Sequence, residues 1–251
     1  REEVGHEILV SDSHSETTLD IGSSFYCGIS HNKSHNKSHN NDLPIFMFCH
    51  AYKTVQISCS NYVLWHSYLK KSKHNIDNLL NLKNKEIISS AKVLVKAIKQ
   101  GKKILICGNG GSASDAQHFA AELIGRFKLD RRAFPAISLN TDTSAITAIA
   151  NDYDYSKVFS RQIEGIGNKG DLLFAISTSG KSRNIIEAAL TARSKQIKVI
   201  GLTGVKNSKL EKCSDICIKA PSEITSHIQE LHITIIHLLC ILIELEILEK
   251  K

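Results

Sequence analysis

No pair of cysteines is spaced as Cys-x-x-Cys in these 251 residues, although seven stand at positions 27, 49, 59, 107, 213, 217 and 240. That absence removes the common zinc-ribbon and thioredoxin-type arrangements, and the odd count argues against a closed disulfide framework. Two of the thiols sit inside apolar runs, so reduced cysteines in a cytoplasmic protein are the expectation. A dense basic block is missing too. The net charge is +7, but the lysines (70, 71, 73, 102, 103, 128, 250, 251 among them) are spread along the chain without interleaved aromatics. This is not the footprint of a nucleic-acid surface. No apolar run reaches the length of a membrane span uninterrupted; the nearest, Ile233 to Ile247, carries His237, Glu244 and Glu246. Neither a nucleic-acid nor a membrane partner is therefore expected. No signal peptide is visible, and the start at Arg1 rather than Met suits a fragment, a processed end or a fusion.

One residue is missing from a nucleotide-binding loop. The stretch "AISTSGKS" (175–182) ends in Gly-Lys-Ser but has alanine at 175, where a P-loop needs glycine so that backbone can wrap a phosphate. What remains is a run of hydroxyls, Ser177, Thr178, Ser179 and Ser182, between an apolar run and a helix-like run. Hydroxyls and free N–H groups at a strand-to-helix turn make an anion site, because a helix N-terminus has unpaired donors and the positive end of its dipole. A pocket for a phosphate monoester fits, with Lys181 a solvated neighbour. The alternative is that these residues only cap the helix.

With 42% hydrophobic residues, the chain can bury one α/β domain of ordinary size plus an extension. Residues 1–58 read as an unassigned, low-complexity extension. They hold the tandem repeat "SHNKSHNKSHNN" (30–41), which reads as polar linker rather than as a metal tract, flanked by "EILV" and "PIFMFCHAYKTVQISC" as possible strands. Residues 59–251 form the regular part. Apolar positions from Leu79 to Ile98 follow helical spacing and stop at Gly101. Five short apolar strands follow at Lys103–Cys107, Ala136–Leu139, Asp171–Ser177, Lys198–Thr203 and Ile216–Lys219, most of them separated by helical patterns. A last helix runs from Thr225 to about Glu249. This rhythm predicts a parallel five-stranded sheet covered by helices on both faces, an α/β three-layer sandwich.

The first strand runs into "CGNGGSASDAQHFAAELIGRF" (107–127). Its Gly108-Asn109-Gly110-Gly111-Ser112-Ala113 satisfies the loose dinucleotide pattern, but no acidic residue ends the next strand to hold a ribose, so no nucleotide cofactor is expected. The same glycines let backbone amides approach a sugar or phosphate and open a helix at Ser112 or Ser114. On that helix His118 and Glu122 are one turn apart, either a surface contact or part of a site at the C-terminal end of a strand. The last helix offers Gln229 and His237, eight apart and near one face, with His237 among Ile235, Ile236, Leu238 and Leu239 and so expected to be buried. A buried histidine is either a satisfied core residue or an acid, base or metal ligand. Two such helices would supply two imidazoles, a carboxylate and an amide oxygen to Zn²⁺.

Taken together, "CGNGGSASDAQHFAAEL", "LNTDTSAITAIANDYDYSKVFSRQIEGIGNKGDLLFAISTSGKSRNII" and "IQELHITIIH" closely resemble the phosphoheptose isomerases of the sugar isomerase (SIS) superfamily, over roughly residues 60–250. The resemblance implies a homotetramer with sites between subunits, and isomerisation of sedoheptulose 7-phosphate to D-glycero-D-manno-heptose 7-phosphate for lipopolysaccharide. It puts Ser177, Thr178, Ser179 and Ser182 around the phosphate, and Asn109, Gly110, Gly111, Ser112, Asn151, Asp152 and Gln229 along the sugar. It makes Glu122 the base between C1 and C2 and His237 the acid. His118, Glu122, Gln229 and His237 match a zinc set of some members. The chain departs from the pattern at His227, where many relatives have arginine, and at Ser226. Two rival classes follow from the same resemblance: a non-catalytic regulator that binds a replication initiator, which would lack the acid–base pair kept here, and a sugar-sensing transcription regulator, whose DNA-binding pattern residues 1–58 do not show. An isomerase of a five- or six-carbon sugar phosphate is the alternative among enzymes.

Overall fold

Strands β1 (Ile104–Cys107), β2 (Ala136–Ser138), β3 (Leu172–Ile176), β4 (Lys198–Gly204) and β5 (Ile216–Ala220) pair in parallel in the order β2-β1-β3-β4-β5. The expected strands agree with these bounds to within a residue. The agreement has a physical cause: every residue of β1 and β3 is buried, as in a parallel sheet covered on both faces, so each strand is a short continuous apolar run. The computed structural model describes residues 46–81 and 85–248, the side chains from 61 onward. The repeat at 30–41 and "EILV" lie outside the described residues. The strands and the helices that cover them belong to a unit spanning Tyr52–Lys251.

Alternate residues of each strand feed two cores. Ile104, Ile106, Phe174 and Leu202 face α2 (Lys85–Lys99), α3 (Gly111–Ile124) and α8 (Thr225–Leu248). Leu105, Cys107, Leu173 and Val199 face the helices α5 (Ser160–Ile166), α6 (Arg183–Ser194) and α7 (Lys209–Cys213). This period of two across a sheet is what makes three layers. The chain leaves β1 toward one edge and returns through β3 on its other side. The crevice between the C-terminal ends of β1 and β3 is thus a topological switch point, where open α/β sheets bind ligands.

Four expectations change. Residues 46–59, allowed as strand, are helical and begin α1 (Phe46–Asn81). No glycine or proline interrupts 46–81, and a nucleated helix propagates cheaply. The apolar period from Leu79 to Ile98 is shared between two helices, α1 and α2, and α2 ends before Gly101, whose φ is +69°. Helix α3 starts at Gly111, ahead of Ser112 and Ser114, because Gly110 at φ +54° turns the chain into it. Finally, α8 is long and apolar enough to cross a membrane by length and composition alone. It packs against α2, α3, β4 and β5, with Ile235, Ile236, Leu239 and Ile243 in the core and Glu244 buried in an ion pair with Arg131. That is the environment of a core helix.

Candidate active site

Two loops meet at the switch point. The first, Gly108–Gly110, leaves β1 so tightly that a Cβ on Gly108 would lie 2.2 Å from the Ser112 carbonyl oxygen. Only glycine fits there. Asn140, just past β2, grips the same residue from both sides: its Oδ1 accepts from the Gly108 N–H (3.2 Å) and its Nδ2 donates to the Gly108 carbonyl (2.8 Å). The second loop, 177–182, leaves β3 and enters α6. Asn109 and buried Asn184 exchange two amide hydrogen bonds of 2.8 Å each, clasping the loops together. Tyr155 Oη donates to Asn109 Oδ1 at 3.4 Å.

The hydroxyl run closes partly on itself. Ser182 is the residue before α6, yet its side chain makes no capping bond. Its Oγ lies 3.1 Å from Ser177 Oγ, which also accepts from the Gly180 N–H. Gly180 has φ +59°, and a Cβ there would come 2.3 Å from Ser208 Oγ. The turn therefore brings the Ser177 and Ser182 hydroxyls together and leaves the first-turn donors of a twelve-residue helix uncapped by the Ser182 side chain. Thr178, Ser179 and exposed Lys181 border a cavity of about 200 Å³ that reaches Gly204 and Ser222. A different cavity, of about 180 Å³ beside Asp171 and Lys198, lies at the N-terminal ends of β3 and β4, away from these loops.

Helices α3 and α8 lie side by side and run the same way. Gly111 abuts Gln229, a Cβ on the glycine coming 2.4 Å from the amide Nε2. Two turns on, His118 Nε2 meets His237 Nε2 at 3.1 Å and Glu122 Oε1 at 3.2 Å. The structure thus brings His118, Glu122 and His237 together, while Gln229 lies against the glycine loop instead. His237 is half-buried rather than buried: Ile235, Ile236 and Leu239 take the core face, and the helical turn carries His237 to its edge. Asn151 and Asp152 close helix α4 (Thr143–Asp152), exposed, with Asn151 Nδ2 donating to Asp152 Oδ1 at 2.9 Å. Ser112 is buried at the first turn of α3.

Sequence reasoning passed over Asn140, Asn184 and Asp115. The last stands on the same stripe of α3 as His118 and Glu122, spaced three and seven residues from them, which is the signal that was available. Burial pushes the Asp115 carboxyl up to about 6, partly offset by His118, and its buried Oδ2 has no hydrogen-bond partner.

For a metal, the donor types suit zinc: two imidazoles, a carboxylate and an amide. Two imidazole Nε2 atoms at 3.1 Å must share a proton or a cation. Yet among the described residues no three His, Cys, Asp or Glu side chains are arranged to hold a metal. The fit is at the histidine pair with Glu122 beside it, whereas Gln229, lying against Gly111, would have to turn toward them.

The SIS-domain family pattern matches residues 67–204, more than half of the chain. The phosphoheptose isomerase of Helicobacter pylori strain P12 is 51% identical over 176 residues, covering 70% of this chain and 88% of that protein. The chain belongs to the phosphoheptose isomerase family. Its relative from Aliarcobacter butzleri is 54% identical over 158 residues, 63% of this chain and 84% of the relative. The phosphoheptose isomerase structure from Francisella tularensis superposes with a TM-score of 0.71 at 37% identity, covering 73% of this chain and 97% of that one. The Neisseria gonorrhoeae phosphoheptose isomerase gives 0.69 at 38% identity, covering 73% and 98%.

Proposed function

We propose that this chain isomerises sedoheptulose 7-phosphate to D-glycero-D-manno-heptose 7-phosphate through an enediol, the first step toward the ADP-heptose of lipopolysaccharide. As a member of the phosphoheptose isomerases it is an aldose–ketose isomerase. The observation that carries the reading of its site is the carboxylate of Glu122 and the imidazole of His237 meeting on His118, at 3.2 and 3.1 Å, beside the glycine loop.

The chemistry follows from these residues. The sugar phosphate docks with its dianion at the α6 N-terminus, held by Ser177, Thr178, Ser179 and Ser182. Its chain lies along Asn109, Gly110, Gly111 and Ser112 toward Gln229, with Asn151 and Asp152 contributing at a neighbouring copy's site. Glu122 takes a proton from C1 and returns it to C2, while His237 gives a proton to the C2 oxygen and receives the one from the C1 oxygen. Protons balance and no redox cofactor is consumed. Zn²⁺, one per subunit, would be held by His118, Glu122, Gln229 and His237 and would supply Lewis-acid polarisation of the carbonyl.

Homotetramer formation and a cytoplasmic location complete the proposal. Support for the first is the apolar surface left on one chain, including Ile88, Ile124, Ile137 and Leu238, and the fact that α4 buries none of its residues. Support for the second is that Cys107, Cys213, Cys217 and Cys240 are all free thiols, with burial pushing Cys240 up to about 12. The test is incubation with sedoheptulose 7-phosphate, with the aldose product followed by NMR and bound zinc counted by mass spectrometry. Aldose formation is expected. A chain that binds the sugar phosphate without turning it over belongs with the regulators instead.

A further inference from the structure

The loop after α3 is organised around one carboxylate. The side chains of Glu244 on α8 and Arg131 in that loop are each 2% exposed and paired at 2.9 Å through the arginine Nε. The Glu244 carboxylate also accepts backbone N–H groups from Phe127 (3.0 Å), Lys128 (3.0 Å) and Leu129 (3.1 Å). Burial alone would push its carboxyl up; these donors and Arg131 outweigh that and hold it below the usual carboxylate range. Arg131 also reaches the end of α3: Nη2 donates to the Glu122 carbonyl at 2.8 Å and Nη1 to the Leu123 carbonyl at 3.0 Å, with further Nη1 contacts to the Gly125 and Arg132 carbonyls at 3.4 and 3.1 Å. Phe127, pinned by its N–H, lays its ring against His237 at 5.4 Å between centroids and 25° between planes.

We infer that Glu244, Arg131 and Phe127 form one positioning unit for the acid–base pair, fixing Glu122 through its backbone and the His237 ring through an aromatic stack. The inference rests on the reading of Glu122 and His237 given above. Its logic is that four donors converging on a buried charge leave the loop one conformation. That conformation reaches both reacting groups, which lie on different helices, and among the described residues none of its hydrogen bonds, ion pairs or ring contacts goes to the phosphate loop or the glycine loop.

Two variants test it. Glu244→Gln keeps the shape and removes the charge on which the donors converge; Phe127→Leu leaves the ion pair intact and removes only the ring at His237. For each, kcat and KM for sedoheptulose 7-phosphate are measured per folded chain, with the melting temperature alongside. The expected result is a kcat lowered about 10- to 100-fold, as when a partner that orients a functional side chain is lost. KM should stay within about twofold, because ground-state binding is not touched. The His237 ring resonances should also shift in Glu244→Gln, although the two residues are two turns apart. Unchanged kcat per folded chain in either variant, with only a lower melting temperature, overturns the inference, and Phe127→Leu decides if Glu244→Gln does not fold. A wild type with no turnover would refute the function itself; unmoved His237 resonances would then refute the positioning separately.

Discussion

His232 shows how one residue's surroundings become a property of the folded chain. It has no exposure, and neither ring nitrogen has a hydrogen-bond partner of acceptable geometry. Burial pushes its imidazole down to about 4, against a smaller opposing pull from the Thr203 backbone, while the unfolded side chain titrates near 6.5. Between these values the unfolded chain binds more protons. The stability this histidine contributes is therefore fully present above pH 6.5 and is lost as pH falls through about 4. The loss amounts to about 3 kcal/mol at most. His232→Leu should flatten the decline, read by urea unfolding on both sides of the window; an unchanged slope would assign the acid sensitivity to other groups. Residue types at the candidate site were legible in the same way, one helix at a time. The spacing of His118 and Glu122, and of Gln229 and His237, is visible in sequence. That His118 faces His237 does not follow from spacing, because it depends on α3 and α8 lying in parallel; it was the family resemblance that put both in one set.

At the scale of elements, the entry to α3 is the least tolerant point. In Gly108→Ala the new methyl would press on the Ser112 backbone carbonyl at 2.2 Å, and backbone cannot swing aside as a side chain can. A loss of roughly 1–3 kcal/mol is expected. Gly165, inside α5 with open space around it, is the control: Gly165→Ala should gain about 0.5–1 kcal/mol of helix stability. Thermal melts of the two variants should move in opposite directions, and parallel shifts would contradict the argument. The clasp between the loops gives a functional counterpart. Asn184→Ala orphans the Asn109 amide, so KM for the sugar phosphate should rise about tenfold, the equivalent of roughly 1.4 kcal/mol for one lost polar pair. An unchanged KM would make the clasp purely structural. The strands and α8 were readable because parallel strands and a core helix are continuous apolar stretches. Helix α1 was not, since its first residues carry no clear apolar period, and Asn140 and Asn184 gave no signal because amides that bond backbone or each other look like loop asparagines.

For the whole molecule, the proposal has Asn151 and Asp152, exposed at the end of α4, reach a neighbouring copy's pocket. If the proposed tetramer forms, specific activity should fall on dilution below the concentration at which sedimentation shows it dissociating. A fully active monomer would contradict shared sites. The three-layer architecture, with its switch point between β1 and β3, was legible from the strand and helix rhythm. The proposed assembly is not legible in any single element, because association depends on surfaces of separate copies matching. The central claim, that Glu122 moves the proton across an enediol, is tested most directly by turnover of sedoheptulose 7-phosphate by the wild type and by Glu122→Gln, with and without chelator. The account predicts a kcat at least about 100-fold lower in the variant, the scale of a lost general base, with substrate still bound. Comparable turnover by Glu122→Gln would contradict it.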